Sequence, residues 1–331
     1  MTQLKTDNSQ LTTDLDPATA AFLEAMRASG GKPLYESSIE DVRANIRGAS
    51  AQLAPALAEM ARIEDRRISA ADGDFGVRVY TPAGTATVRP IVVYFHGGGW
   101  AAGDLDTHDS TARYYAANAG AVVVSVDYRQ PPEHKFPAAV NDSFAAVEWT
   151  AAHAREIGGD ATRLAVAGDS AGGNLATVVC QLAKLRGGPP IAYQALVYPT
   201  VDLRDPVDDP RYPSRAQFGG GEYFLSMRDM EWFRSLYVTD PAGESSDARL
   251  SPIAGRDLGG LPPALVLTAE CDPLRDEGQA YADRLAAAGV PVEYRCYEGS
   301  IHAFMSFAGA IPLGLEALSF VAARMKANLT L

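Results

Sequence analysis

The sequence predicts an α/β fold: a mostly parallel central sheet flanked by helices, with an inserted covering segment. Three observations predict it. Short β-branched or continuously apolar runs recur at Ile91–Phe95, Ala121–Val126, Leu164–Val166, Ala192–Val197 and Ala264–Thr268. Runs of this length and composition suit strands buried on both faces. Helix-like segments separate them, at Thr107–Ala119, Pro137–His153, Ala171–Lys184 and Asp276–Ala288. Strict alternation of that kind builds a parallel sheet wrapped by helices. The interval Asp202–Arg249 breaks the alternation. A stretch this long between two strands of a compact domain is usually a functional lid or covering.

The remaining elements follow in order. Residues 1–16 are polar and predict a frayed tail. Pro17–Ser29 has apolar residues at helical spacing, with Asp16 and Pro17 as cap and first turn. Ile39–Met60 predicts a second helix, interrupted by Pro55. Ile68–Tyr80 alternates in part and ends at Thr81-Pro82-Ala83-Gly84, which predicts a strand and a turn. Within the insertion, Met227–Tyr237 predicts a helix. Pro291–Cys296 predicts a last strand and Gly314–Ala327 a C-terminal helix.

Composition narrows the function. A chain of 331 residues can bury a large core. The net charge of −12 argues against a nucleic-acid partner, which needs a basic surface. Three scattered cysteines, Cys180, Cys271 and Cys296, suit neither a disulfide framework nor a zinc site. The N-terminus lacks the basic start and apolar run of a signal peptide. No stretch approaches the roughly 20 apolar residues that span a bilayer. The expectation is a cytoplasmic protein without a membrane partner, metal or organic cofactor.

The chemistry lies in two glycine-rich motifs. Gly168-Asp169-Ser170-Ala171-Gly172 follows the run Leu164-Ala165-Val166 and opens a helix-like segment. Strand, sharp turn and helix around G-x-S-x-G are what the nucleophile elbow of an α/β-hydrolase requires. The bland reading is a tight turn that packs closely or holds phosphate. The second motif, His96-Gly97-Gly98-Gly99-Trp100, directly follows the strand Ile91–Phe95. A loop of this type supplies backbone N–H groups to an oxyanion hole. Neither nucleotide-binding glycine pattern is present. The two motifs together are far more specific than either.

In this fold the triad runs serine, acid, histidine along the chain. His302 is the one histidine after Ser170, which nearly forces the base. Asp272 follows the strand Ala264–Thr268 almost at once, where an orienting carboxylate could reach the imidazole. Glu270, Asp276 and Glu277 are the rivals; the last two suit the first turn of the next helix.

This ordered set resembles the hormone-sensitive-lipase-like esterases, the bacterial branch of that α/β-hydrolase family. The resemblance runs from about Ile91 to Phe304. It includes HGGGW at 96–100, Asp127-Tyr128-Arg129, the segment Pro132–Ala139, GDSAGGNLA at 168–176, DPLRDEG at 272–278 and Tyr297–Phe304. It implies a carboxylesterase with an eight-stranded core and a helical cap, acting on small, short-acyl esters. It implies Ser170 as nucleophile, His302 as base and Asp272 as acid. Backbone N–H groups of Gly98, Gly99 and Ala171 would form the oxyanion hole, with His96 bracing its own loop. The implied division is cap and tail at 1–66, core at 67–201, cap insertion at 202–249 and core at 250–331. A homodimer paired through the last strand is a further implication.

Two departures stand out. Gln130-Pro131 replaces a usual Leu-Ala, which should be neutral. Ala303 replaces the glycine that commonly follows the histidine and would narrow the space beside the imidazole. Trp100, Phe218, Tyr223 and Phe224 are candidates for the substrate pocket, together with Trp232, although each could equally pack the cap on the core. An amidase, deacetylase or lactone hydrolase would use the same triad. Receptors on this fold typically lack the histidine that His302 supplies here.

Overall fold

The computed structural model describes residues 14–204 and 209–330. The outermost N-terminal residues of the predicted tail, and residues 205–208 of the insertion, lie outside the described residues. The strands are β1 (Met60–Ala70), β2 (Gly73–Pro82), β3 (Arg89–Phe95), β4 (Val122–Asp127), β5 (Gly159–Asp169), β6 (Tyr193–Val197), β7 (Ala264–Cys271) and β8 (Val292–Ile301). They form one eight-stranded sheet in the order β1-β2-β4-β3-β5-β6-β7-β8. The β1–β2 and β2–β4 pairs are antiparallel, and every pair from β4 to β8 is parallel.

The helices are α1 (Pro17–Ala28), α2 (Ile39–Leu53), α3 (Asp109–Ala119), α4 (Ala138–Ala152), α5 (Ala171–Arg186), α6 (Pro213–Phe218), α7 (Met227–Tyr237), α8 (Pro241–Glu244), α9 (Arg275–Ala287) and α10 (Pro312–Leu329). Strand residues alternate between two cores, as a pleated sheet demands. Ile91, Val93 and Phe95 pack with Phe144, Leu175 and Leu285 of α4, α5 and α9. Val92 and Tyr94 pack with Tyr115, Leu318 and Val321 of α3 and α10. A third cluster, Ile39, Val42, Ala101, Ala102 and Phe233, joins α2 and α7 to the loop after β3. No described helix is long and apolar enough to cross a membrane.

Helix ends follow local chemistry. The Asp16 carboxylate accepts from the Thr19 N–H at 3.0 Å, and Pro17 opens α1 as predicted. The α7 start is closed by reciprocal bonds between Ser226 and Asp229. Asp229 also accepts from the Tyr35 N–H at 3.2 Å, and Arg27 donates to the Glu222 carbonyl at 2.8 Å. The N-terminal segment and the insertion are therefore bonded to each other, and both line a cavity at the C-terminal ends of the parallel strands.

Two expectations need correction. The helix predicted over Ile39–Met60 stops at Leu53, where Ala54 is already extended, because a residue before proline avoids the helical region. The single strand predicted over Ile68–Tyr80 is a hairpin of β1 and β2. β1 was illegible because it is an edge strand carrying Arg62, Glu64, Asp65, Arg66 and Arg67, with Ile68 its one fully buried residue. The predicted boundary between residues 66 and 67 consequently falls inside β1.

Candidate active site

β5 ends at Asp169 and α5 begins at Ala171, leaving Ser170 alone at the turn. Its φ of 54° and ψ of −118° lie in a region that side-chain-bearing residues rarely adopt. Such strain persists only where the surroundings over-determine it. Here the Ser170 N–H donates to the Val197 carbonyl at 2.9 Å, and the Ser170 carbonyl accepts from Asn174 at 3.1 Å. The hydroxyl is thereby lifted above the sheet at the N-terminus of a 16-residue helix.

Asp272 directly follows β7 and His302 directly follows β8. All three side chains thus leave the C-terminal ends of parallel strands, where open α/β sheets place their ligands. The structure brings them into line: His302 Nε2 lies 2.9 Å from Ser170 Oγ, and His302 Nδ1 lies 2.7 Å from Asp272 Oδ2. Asp272 is fully buried, and its second oxygen accepts from the Leu274 N–H at 2.9 Å. The rival acids are occupied elsewhere. Glu270 accepts from the Gly299 N–H at 2.7 Å, Asp276 from the Ser214 N–H at 2.7 Å, and Glu277 from Arg215 at 2.6 Å.

The loop after β3 faces Ser170. Gly98 has φ 114°, and a Cβ there would run into the Ala102 carbonyl, so no other residue fits without rearrangement. Among the described residues, the N–H groups of Gly98, Gly99 and Ala171 donate to no protein acceptor. His96 holds this loop: its Nδ1 donates to the Gly97 carbonyl at 2.8 Å, while its own carbonyl accepts from the Tyr128 hydroxyl at 2.8 Å. The His96 ring stacks on Tyr128 at 4.4 Å and on His108 at 5.1 Å. Burial pushes both histidines down to about 4, so both are neutral. The Asp169 carboxylate accepts from the Tyr94 hydroxyl at 2.5 Å, and burial raises its pKa.

In front of Ser170 and His302 lies a cavity of about 800 Å3, lined mainly by apolar side chains of the covering and by Phe307. Of the predicted pocket residues, Trp100 and Phe224 line it. Trp100 is held by stacking on Tyr237 at 4.7 Å. Phe218 and Tyr223 do not line it, which corrects that expectation. They pack edge to face at 5.1 Å in the core, with the Arg275 guanidinium 5.1 Å over Phe218. Phe224 follows Tyr223 directly but has φ 81°, a left-handed backbone, and these sequence neighbours are divided between core and cavity. Trp232 packs against Phe233 at 4.9 Å rather than lining the cavity.

Phe233 and Arg234 line the cavity and were missed, as were Phe22, Ile46 and Leu53 of the N-terminal helices. A signal existed: Met227, Met230 and Arg234 recur at helical spacing on α7, which marks one face. Ala303 also lines the cavity, with φ 63°, a left-handed conformation that explains why glycine is common there.

The sequence pattern of the alpha/beta hydrolase fold family matches residues 92–306. The chain is 42% identical over 310 residues to Carboxylesterase NlhH of Mycobacterium tuberculosis, covering 92% of this chain and 93% of that protein. It is 37% identical over 323 residues to the ethyl acetate hydrolase of Pseudomonas putida, covering 95% and 99%. Among solved structures, it is similar to a thermostable esterase from Pseudomonas putida, with TM-score 0.90, 40% identity and coverage of 96% and 98%. It is also similar to a hyperthermophilic esterase from Pyrobaculum calidifontis, with TM-score 0.88, 41% identity and coverage of 95% and 99%. By family pattern, relatives and fold, this chain belongs to the α/β-hydrolase family, in the hormone-sensitive-lipase-like esterase branch that its motifs resemble.

Proposed function

We propose that this chain hydrolyses small carboxylic esters by acyl transfer to Ser170. Carboxylic ester hydrolysis is the activity for which its relatives are named. The observation that carries the mechanism is the line from Ser170 Oγ through His302 to Asp272, with contacts of 2.9 and 2.7 Å. His302 Nε2 takes the hydroxyl proton as Oγ attacks the ester carbonyl, and the negative charge develops on the carbonyl oxygen. N–H groups of Gly98, Gly99 and Ala171 stabilise that oxygen, aided by the α5 dipole. The carbon–oxygen bond to the alcohol then breaks, and the alcohol leaves with the proton from His302. Water repeats the sequence on the acyl-enzyme and regenerates Ser170. Asp272 fixes the imidazole tautomer and stabilises the imidazolium.

The proposed preference for short acyl groups rests on the family resemblance. A cavity of about 800 Å3 would hold longer chains, so we expect activity to decline gradually with acyl length rather than stop abruptly. A cytoplasmic location and pairing of two copies through β8, one of the two edges of the sheet, complete the reading. The test is a p-nitrophenyl ester series from acetate to palmitate beside matched p-nitroanilides. Faster ester cleavage with a maximum at short chains supports the assignment; faster anilide cleavage makes the enzyme an amidase instead.

A further inference from the structure

Three arginines line the cavity in front of Ser170, and two of them are already engaged. Arg204 grips the Asp202 carboxylate through two contacts of 2.8 Å, and Arg215 donates to Glu277 at 2.6 Å. Arg234 differs. Its Nε is shut off from solvent without a hydrogen-bond partner, and among the described residues no carboxylate lies within ion-pair distance of its guanidinium. Glu231, one turn earlier on α7, is exposed and lines the same cavity without pairing to it.

The placement matters because, Glu231 apart, the other α7 residues that line the cavity are apolar: Met227, Met230 and Phe233. Met227, Met230 and Arg234 stand at helical spacing, and all three line the cavity. A long cationic side chain normally carries its head out to water. Here the Nε donor is desolvated in the wall of the cavity onto which Ser170 opens, while the side chain as a whole is only half-buried. An unpaired desolvated donor is unfavourable until an acceptor arrives. The planar fork of a guanidinium matches a carboxylate better than any neutral acceptor.

We propose that Arg234 is a specificity-determining residue that takes a carboxylate carried by the ester substrate. Half-esters of dicarboxylic acids, and esters of comparable anionic acids, are then preferred over neutral esters of the same length. This inference rests on the ester-hydrolase reading for turnover, but not for binding.

The test compares monoethyl adipate with ethyl hexanoate, which differ by one terminal carboxylate for methyl. Binding to the Ser170→Ala protein, measured calorimetrically, should favour monoethyl adipate by about tenfold or more. Adding Arg234→Met should collapse that gap, while Arg234→Lys should keep part of it. In the otherwise native enzyme, Arg234→Met should lower the adipate-to-hexanoate ratio of kcat/KM to the same extent, with the loss falling on KM. Equal dissociation constants for the two esters, or a gap that survives Arg234→Met, would overturn the role of Arg234. A gap that depends on Arg234 in a native chain that turns over neither ester would sustain the anion site and defeat the hydrolase reading instead.

Discussion

Gly172 lies so close to Phe95 that a Cβ on it would strike the Phe95 carbonyl oxygen, and the His96 carbonyl beside it. The turn that carries Ser170 and the loop that carries Gly98 and Gly99 are therefore packed backbone to backbone. Ser170 and the N–H groups of Gly98 and Gly99, the proposed nucleophile and oxyanion donors, are set by a single contact, without an intervening side chain to flex.

Gly172→Ala should disrupt both at once. Overpacking against fixed backbone costs about 1–3 kcal/mol, and here neither partner can rotate away. Urea unfolding should show that loss, and the fraction that remains folded should lose most of its esterase activity. A variant with native stability and native kcat/KM would show that the contact is not rigid.

Asp272→Asn should leave the fold intact, since the amide is isosteric and the Leu274 N–H can still find its acceptor. It should nevertheless allow the wrong imidazole tautomer, with a fall in kcat of about 10⁴. The measurement is steady-state ester hydrolysis, with circular dichroism to show that folding is unchanged. A loss below about tenfold would point to one of the other nearby acids.

Stability should fall as the solution is acidified, and His96 and His108 give the sign. Both are buried, stacked and neutral, with pKa values near 4 against 6.5 for a free histidine. Between those limits the unfolded chain binds protons that the folded chain refuses, so stability rises with pH across that window and is fully present above it. Each such histidine is worth on the order of 3 kcal/mol at the acid end. Asp169 and Asp127 act in the opposite sense, because burial raises their pKa values, that of Asp127 to about 6, and makes the folded chain hold protons that the unfolded chain releases. Asp127 offsets one of the two histidines over part of the window. The two histidines should dominate from pH 6.5 to 4.5. A denaturation midpoint that stays flat over that range would contradict their neutral burial.

Ala303→Gly should be mildly stabilising. The left-handed backbone costs a residue with a Cβ roughly 1–2 kcal/mol, while glycine adds about 0.4–1 kcal/mol of unfolded-state entropy. The balance is a gain of roughly 0.5–1 kcal/mol, read as a small rise in Tm. The cavity beside His302 would also widen, so esters branched next to the carbonyl should gain relative to acetate. A drop in stability would mean that the Ala303 methyl makes packing contacts worth more than its strain.

Much of this was legible because the chemistry demands fixed sequence neighbours. A nucleophile elbow needs glycines two residues either side of Ser170, and the order serine, acid, histidine left His302 with no competitor. The alternating runs that announced the sheet are those buried on both faces, from β3 to β7. What stayed hidden was governed by tertiary context. β1 is an exposed, charged edge whose partner is β2, so it lacks a hydrophobic signature of its own. Phe218, Tyr223 and Phe224 are chemically alike, and it is the left-handed backbone at Phe224, not a residue preference, that accompanies its place in the cavity lining. Phe22 of α1 and Phe233 of α7 reach the same cavity from segments far apart in the sequence, a meeting that no local pattern encodes.

The central claim is that Ser170 carries the acyl group, and the most direct measurement is p-nitrophenyl acetate hydrolysis by the native chain beside folded Ser170→Ala. The account predicts a burst of p-nitrophenol in the native protein if deacylation is slower than acylation, and a rate reduced by about 10⁴ or more in the variant. A folded Ser170→Ala protein that kept its rate would place the nucleophile elsewhere and contradict the account.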